Sequence, residues 1–117
     1  MVYRIEVGYN NAEYDAAGHQ VLHDIREDLG FDGCTLVRVV DVDQVDGNIT
    51  SAQAARIAKE LLADPIVQHA SVSRALAGKY DWAVEVGLKP GVTDNVAVTT
   101  VEGIDDLLKK KFKGSLK

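Results

Sequence analysis

Along residues 2 to 9 the apolar side chains fall on every second position, Tyr3, Ile5, Val7 and Tyr9, with Arg4 and Glu6 between them. Such alternation predicts a half-buried strand. Asn10-Asn11 predicts a turn. Asp15 stands where a carboxylate would accept from the free amides of a first helical turn. From there the apolar spacing becomes helical, so Gly18, Leu22, Ile25 and Leu29 predict one buried helix face. Glycine is costly inside a helix, and Gly18 on that face implies close approach to the sheet or to a partner. Gly30 predicts the C-terminal cap.

Residues 35 to 45, TLVRVVDVDQV, predict a second strand. Its apolar residues occupy both parities, which is the pattern of a strand covered on both faces. In so short a chain the second cover would come from another copy or another subunit. A turn at Asp46-Gly47-Asn48 leads to Thr50 and Gln53, spaced as a capping box. The helix after them would bury Ala54, Ile57, Ala58 and Leu61, and Asp64-Pro65 would stop it. A weaker third strand covers 66 to 73, with Val67, Ala70 and Val72 as its apolar positions. Ala77-Gly78-Lys79 links to a fourth alternating stretch, 81 to 88, in which Trp82, Val84, Val86 and Leu88 share one side. A Lys89-Pro90-Gly91 turn follows. Asp94 caps a last helix, about 94 to 110, that would bury Ala97, Val101, Ile104 and Leu108.

The fourth stretch copies the first. With a constant offset of 79, Glu6-Val7-Gly8 falls on Glu85-Val86-Gly87, Asp15 on Asp94, Ile25 on Ile104 and Leu29 on Leu108. This is an internal repeat of one and a bit copies. The element order is βαβαβ followed by βα, an α+β chain with an antiparallel-rich sheet. Residues 1–77 would form a complete unit and 78–117 a partial second unit packed with it. A second copy that stops after its first helix predicts that the chain is a piece of a longer polypeptide.

Composition narrows the class. At 117 residues, 46% hydrophobic and 26% charged, one globular domain with a modest core is expected. No apolar run is long enough for a membrane span and no signal peptide opens the chain, so neither a membrane nor export is expected. The single cysteine, Cys34, suits a reducing cytoplasm and reads as an apolar or edge residue, since no reactive motif surrounds it. A formal charge of −5 argues against nucleic acid as a partner. Lys109, Lys110, Lys111, Lys113 and Lys117 close the chain, so the rest carries −10. They read as the cationic end of a helix dipole.

No catalytic signature stands out. His19 and His23 lie four apart with Asp15 one turn earlier, a stripe on which a metal or a general base is conceivable. The stripe lies off the apolar face, where polar residues belong anyway, so no metal and no cofactor are expected. His69 has no partner in sequence and reads as a surface histidine. Gly87, Gly91 and Gly103 are not spaced as a phosphate loop, and Asp41 and Asp43 read as exposed carboxylates. Trp82 reads as core or interface.

The strand followed by Lys-Pro-Gly-Val, an Asp and an apolar helix resembles PurS, the small subunit of phosphoribosylformylglycinamidine synthase, or the PurS-like N-terminal region of its fused forms. Leu88 to Asp94 carries LKPGVTD, with Ala97 where that family has glycine. The first copy keeps Asp15 and Gly18 but has Asn10-Asn11-Ala12 in place of Lys-Pro-Gly. Val37-Arg38 is similar to the family's Val-Arg pair, and residues 60 to 67 to the end of its second helix. The resemblance implies a two-layer ferredoxin-like sandwich and a non-catalytic module that pairs with itself. It implies that the module bridges glutaminase and ATP-dependent synthetase parts in purine biosynthesis. Asp15, Gly18, Arg38, Lys89, Pro90, Gly91, Asp94 and Ala97 are then the structural or interface candidates. Two other classes stay open: an ACT-type regulatory module with a ligand against Lys89 to Thr93, and a dimeric α/β-barrel enzyme using His19 or His69.

Overall fold

Strand β1 (Val2–Tyr9) lies inside the sheet and is the most buried strand of the protein. In the computed structural model, which describes residues 2–76, 78–88, 94–109 and 114–116, β1 is followed by a 3-10 turn (Ala12–Tyr14) and helix α1 (Ala16–Glu27). Next come β2 (Asp41–Gly47) and α2 (Ser51–Arg56), which continues as a π-helical turn (Ile57–Leu62). Then follow β3 (Gln68–Val72), α3 (Asn95–Leu108) and β4 (Gly114–Leu116). The sheet order is β3-β1-β2-β4, and every pairing is antiparallel. This is a two-layer α+β sandwich of ferredoxin-like kind, as expected from the sequence.

Tyr3, Ile5 and Val7 point to one face, where they meet Val45 of β2, Ala54, Ile57 and Ala58 of the second helical segment, and Ala97 and Ile104 of α3. That face is the core. On the other side of β1, Gly8 has no side chain where Leu76 and Val40 approach, and the Glu6 carboxylate accepts from Leu76 N–H at 3.4 Å and from Arg4 Nε at 3.4 Å.

The helix ends follow local chemistry. Thr50 Oγ1 accepts from Gln53 N–H and Gln53 Oε1 accepts from Thr50 N–H, so the capping box forms as the spacing requires. Gly30 adopts φ +65° just past α1, where Phe31 N–H reaches back to the Ile25 carbonyl. The π-helical turn was not foreseen. Ala63 N–H donates to Ala58 C=O, five residues back, and the wider turn rotates the following side chains. Leu62 therefore packs on the core, and Leu61, expected to be buried, lies at its margin over Gly103 of α3.

Three expectations are corrected. The second strand begins at Asp41, not at residue 35, and residues 31 to 40 are irregular. Residues 81 to 88 form no strand. Both edges of β1 are taken by β2 and β3 and the outer edge of β2 by β4, and residues 81 to 88 pair with none of the described strands. Trp82, Val84 and Val86 are accordingly 89%, 86% and 88% exposed, and Trp82 is not a core residue. Helix α1 buries only Gly18; Leu22 and Ile25 are half-buried and Leu29 is exposed. The helix that packs on the core beside α2 is α3.

Asp43 lies on the core face of β2, opposite Ile5, between Asp41 and the Asp94 cap of α3. Partial burial, followed by repulsion from Asp41 and Asp94, raises its pKa above the usual carboxylate value. A carboxyl whose pKa rises on folding favours the fold while protonated and loses that contribution as pH climbs through the folded pKa. Asp43→Asn is therefore expected to raise the melting temperature at neutral pH. The gain should shrink towards zero below about pH 3.8, where both forms are neutral; thermal melts over a pH series check this.

Candidate functional site

The Asp15 carboxylate is 99% buried, at the join of β1, α1 and the irregular crossing to β2. Its Oδ1 accepts from Gly18 N–H at 2.8 Å, which caps α1. Its Oδ2 accepts from Val39 N–H at 2.8 Å and from Arg38 Nε at 3.3 Å. Arg38 Nη2 donates to the Tyr9 carbonyl at 2.6 Å, so one guanidinium ties the end of β1 to the start of α1. A buried carboxylate is tolerated only when paired and hydrogen-bonded, and this one has both an ion pair and two amides.

The same contacts explain why the second strand starts late. The β1–β2 ladder ends at Val7 opposite Asp41. Two residues further out, Val39 N–H goes to Asp15 and the Tyr9 carbonyl takes Arg38, so neither is left for a ladder. Gly18 fits because it lacks a side chain. A Cβ there would run into the Val37 carbonyl oxygen and the Asp15 carboxylate. Thus Asp15 and Gly18 form one cluster with Arg38, 23 residues from Asp15, with Val37 and Val39 on its other side. Sequence reasoning placed Arg38 in a strand; it is on the crossing segment.

Asp94 and Ala97 repeat the cap without the cluster. Asp94 Oδ1 accepts from Ala97 N–H at 2.9 Å, and the helix begins one residue after the aspartate, as α1 does. Asp94 is half-buried and Ala97 faces the core. Lys89, Pro90 and Gly91, with the rest of the loop invoked for an ACT-type ligand, lie outside the described residues. His19 and His23 are exposed on α1, and Asp15 turns away from them towards Arg38. No group of three potential metal ligands occurs among the described residues. His69 Nδ1 lies 2.6 Å from Asn10 Oδ1, a contact across the β1–β3 edge that sequence gave no means of finding. Cys34 is half-exposed and close to the Leu36 carbonyl. An open, shallow groove runs between Val2, Arg4, Glu6 and residues 73 to 75, too exposed to enclose a small substrate.

No family model and no curated protein matches the chain. A solved structure does: the PurS of Methanocaldococcus jannaschii, one of the subunits of formylglycinamide ribonucleotide amidotransferase in the purine biosynthetic pathway. The two superpose with a TM-score of 0.51 over 62% of this chain and 92% of that one, at 13% identity. The chain has a PurS-like fold. At this identity the likeness concerns the fold alone. Among the described residues of this PurS-like chain, no helix is long and apolar enough to cross a membrane.

The cluster makes a graded prediction. Asp15→Ala removes the cap and the buried acceptor of Val39 N–H, while Arg38 turns to solvent, and should cost about 2–4 kcal/mol. Asp94→Ala removes a cap near solvent and should cost only about 1 kcal/mol. Urea unfolding of the two variants beside the parent chain checks the order.

Proposed function

We propose that the chain is a non-catalytic interaction module of formylglycinamide ribonucleotide amidotransferase, holding the glutaminase and ATP-dependent synthetase parts together in cytoplasmic purine biosynthesis. The observation that carries this is the fold, which accounts for 92% of a PurS chain despite 13% identity. The convergence of Asp15, Gly18 and Arg38 adds to it, since these residues were singled out by a resemblance to PurS and meet around one buried carboxylate. They shape the module.

The reading divides the chain into a complete unit, 1–77, and the first part of a second, 78–117. Two helices support the division. Each starts directly after an aspartate 79 residues from its counterpart, and each aspartate accepts from the amide three residues on. In this reading α3 of the second unit packs on the sheet of the first. Self-association belongs to the same proposal.

Reconstitution tests it. Purified ATP-dependent synthetase and glutaminase subunits should show glutamine-dependent amidation of formylglycinamide ribonucleotide only when this chain is added, and the three should co-elute. Ammonia-dependent amidation by the synthetase alone should be unaffected. Full glutamine-dependent activity without the chain, and no co-elution with it, would contradict the assignment.

A further inference from the structure

The dipeptide Asp-Gly occurs twice in the chain, at Asp32-Gly33 and at Asp46-Gly47. In this pair an aspartyl carboxyl reacts most readily with the next amide nitrogen, because glycine sets no side chain beside that nitrogen and lets the backbone turn. Both aspartates are exposed, but their backbones differ. Asp46-Gly47 closes β2 between two neighbours, with Asp46 opposite Val2 of β1 and Ser115 of β4, and Gly47 opposite Gly114. Asp32-Gly33 lies in the irregular segment that follows α1. We infer that Asp32 is a modification site, where isoaspartate forms spontaneously in the folded chain, and that the identical dipeptide at Asp46 is protected.

The reaction needs the Gly33 nitrogen to approach the Asp32 Cγ. Among the described residues the Gly33 N–H donates no hydrogen bond and the Asp32 carboxylate accepts none. The ties of this segment fall on either side of the pair. Phe31 N–H donates to the Ile25 carbonyl at 3.1 Å, and Arg26 Nε and Nη2 donate to the Cys34 carbonyl at 3.1 and 2.9 Å. The peptide between Asp32 and Gly33 is thus left to rotate between two fixed ends. At Asp46 the ladder holds an extended backbone from both sides, and an extended backbone directs the side chain away from the nitrogen that would attack it.

The chemistry balances without a co-reactant other than water. The Gly33 nitrogen bonds to the Asp32 Cγ, and the carboxyl hydroxyl leaves as water with the amide proton, giving a succinimide. Water then adds to one of its two carbonyls. Breaking the new bond restores aspartate. Breaking the original peptide bond leaves Gly33 joined through Cγ, with one more atom in the main chain and a free α-carboxylate on the surface. The partner class that recognises such a carboxylate is an S-adenosylmethionine-dependent carboxyl methyltransferase. It moves a methyl group from the sulfonium to the carboxylate oxygen, and the ester closes to the same succinimide with loss of methanol. The inference is independent of the amidotransferase partners.

The test ages the full chain at neutral pH, below its melting temperature. Aliquots are labelled with methyl-tritiated S-adenosylmethionine and an isoaspartyl methyltransferase, and peptide mapping with electron-transfer fragmentation locates the product. Isoaspartate should accumulate with time at Asp32 and stay undetected at Asp46. Ageing in urea removes the ladder, and both sites should then react at equal rates. Gly33→Ala should abolish the label at Asp32 with an unchanged circular dichroism spectrum. Gly33 takes no positive φ, and the added Cβ meets only the ring of Phe31, an exposed side chain that can swing aside. No label at Asp32 in the aged folded chain would overturn the inference. So would equal labelling of Asp46 in the folded chain, or label at Asp32 that persists in Gly33→Ala.

Discussion

The buried carboxylate of Asp15 is the constraint on which the first half of the molecule depends. Three N–H donors converge on it from different parts of the chain: the first turn of α1, the crossing to β2, and the Arg38 guanidinium. Each has a structural consequence. The Gly18 amide starts the helix, the Val39 amide ends the ladder between β1 and β2, and Arg38 reaches on to the last carbonyl of β1. The packing is close enough that position 18 admits no side chain. Removing the carboxylate would leave the Gly18 and Val39 amides without their acceptor at once, which costs more than the loss of any single bond.

The second aspartate shows what the first adds. Asp94 caps α3 by the same bond, in a half-buried setting with neither Arg38 nor Val39 near. What differs is where the helix goes. α3 lies on the sheet beside the π-helical turn of α2, with Leu61 over Gly103, while α1 is held at its N-terminus and leaves its stripe half-open. One helix pattern thus occurs twice, once satisfied by the core and once not. The alternating strand pattern occurs twice in the same way, buried in β1 and bare in residues 80 to 88. A PurS-like sandwich accounts for the satisfied copies. The second copies, on α1 and in residues 80 to 88, lie half-buried or exposed at the surface.

Much of this was legible in the sequence. The period-two run of β1, both aspartate caps, the Thr50–Gln53 box and the Gly30 cap are local effects, decided by residues within a few positions of each other, and each appears where the spacing put it. The cluster members were legible only as separate motif residues, because Arg38 is 23 residues from Asp15 and the bond between them is a property of the folded chain. Non-local effects defeated the rest. Residues 35 to 40 look like a strand, but Val39 N–H has a stronger acceptor in Asp15 than a ladder carbonyl. Residues 81 to 88 look like a strand as well, but they pair with none of the described strands and lie exposed, so their alternation is not expressed as a ladder. Leu61 was misplaced because a π-helical turn breaks the 3.6-residue period on which its burial was read.

Backbone hydrogen exchange at Gly18 and Val39 tests the central role of Asp15 most directly. Both amides donate to one buried carboxylate, so both should exchange slowly and with the same opening free energy, although Val39 lies in an irregular segment. In Asp15→Asn, Val39 should lose most of its protection while the amides of β1 facing β3 keep theirs. A Val39 amide that exchanges in the parent chain as fast as its loop neighbours, with Gly18 protected, would contradict the account, since Asp15 would then be a helix cap and nothing more.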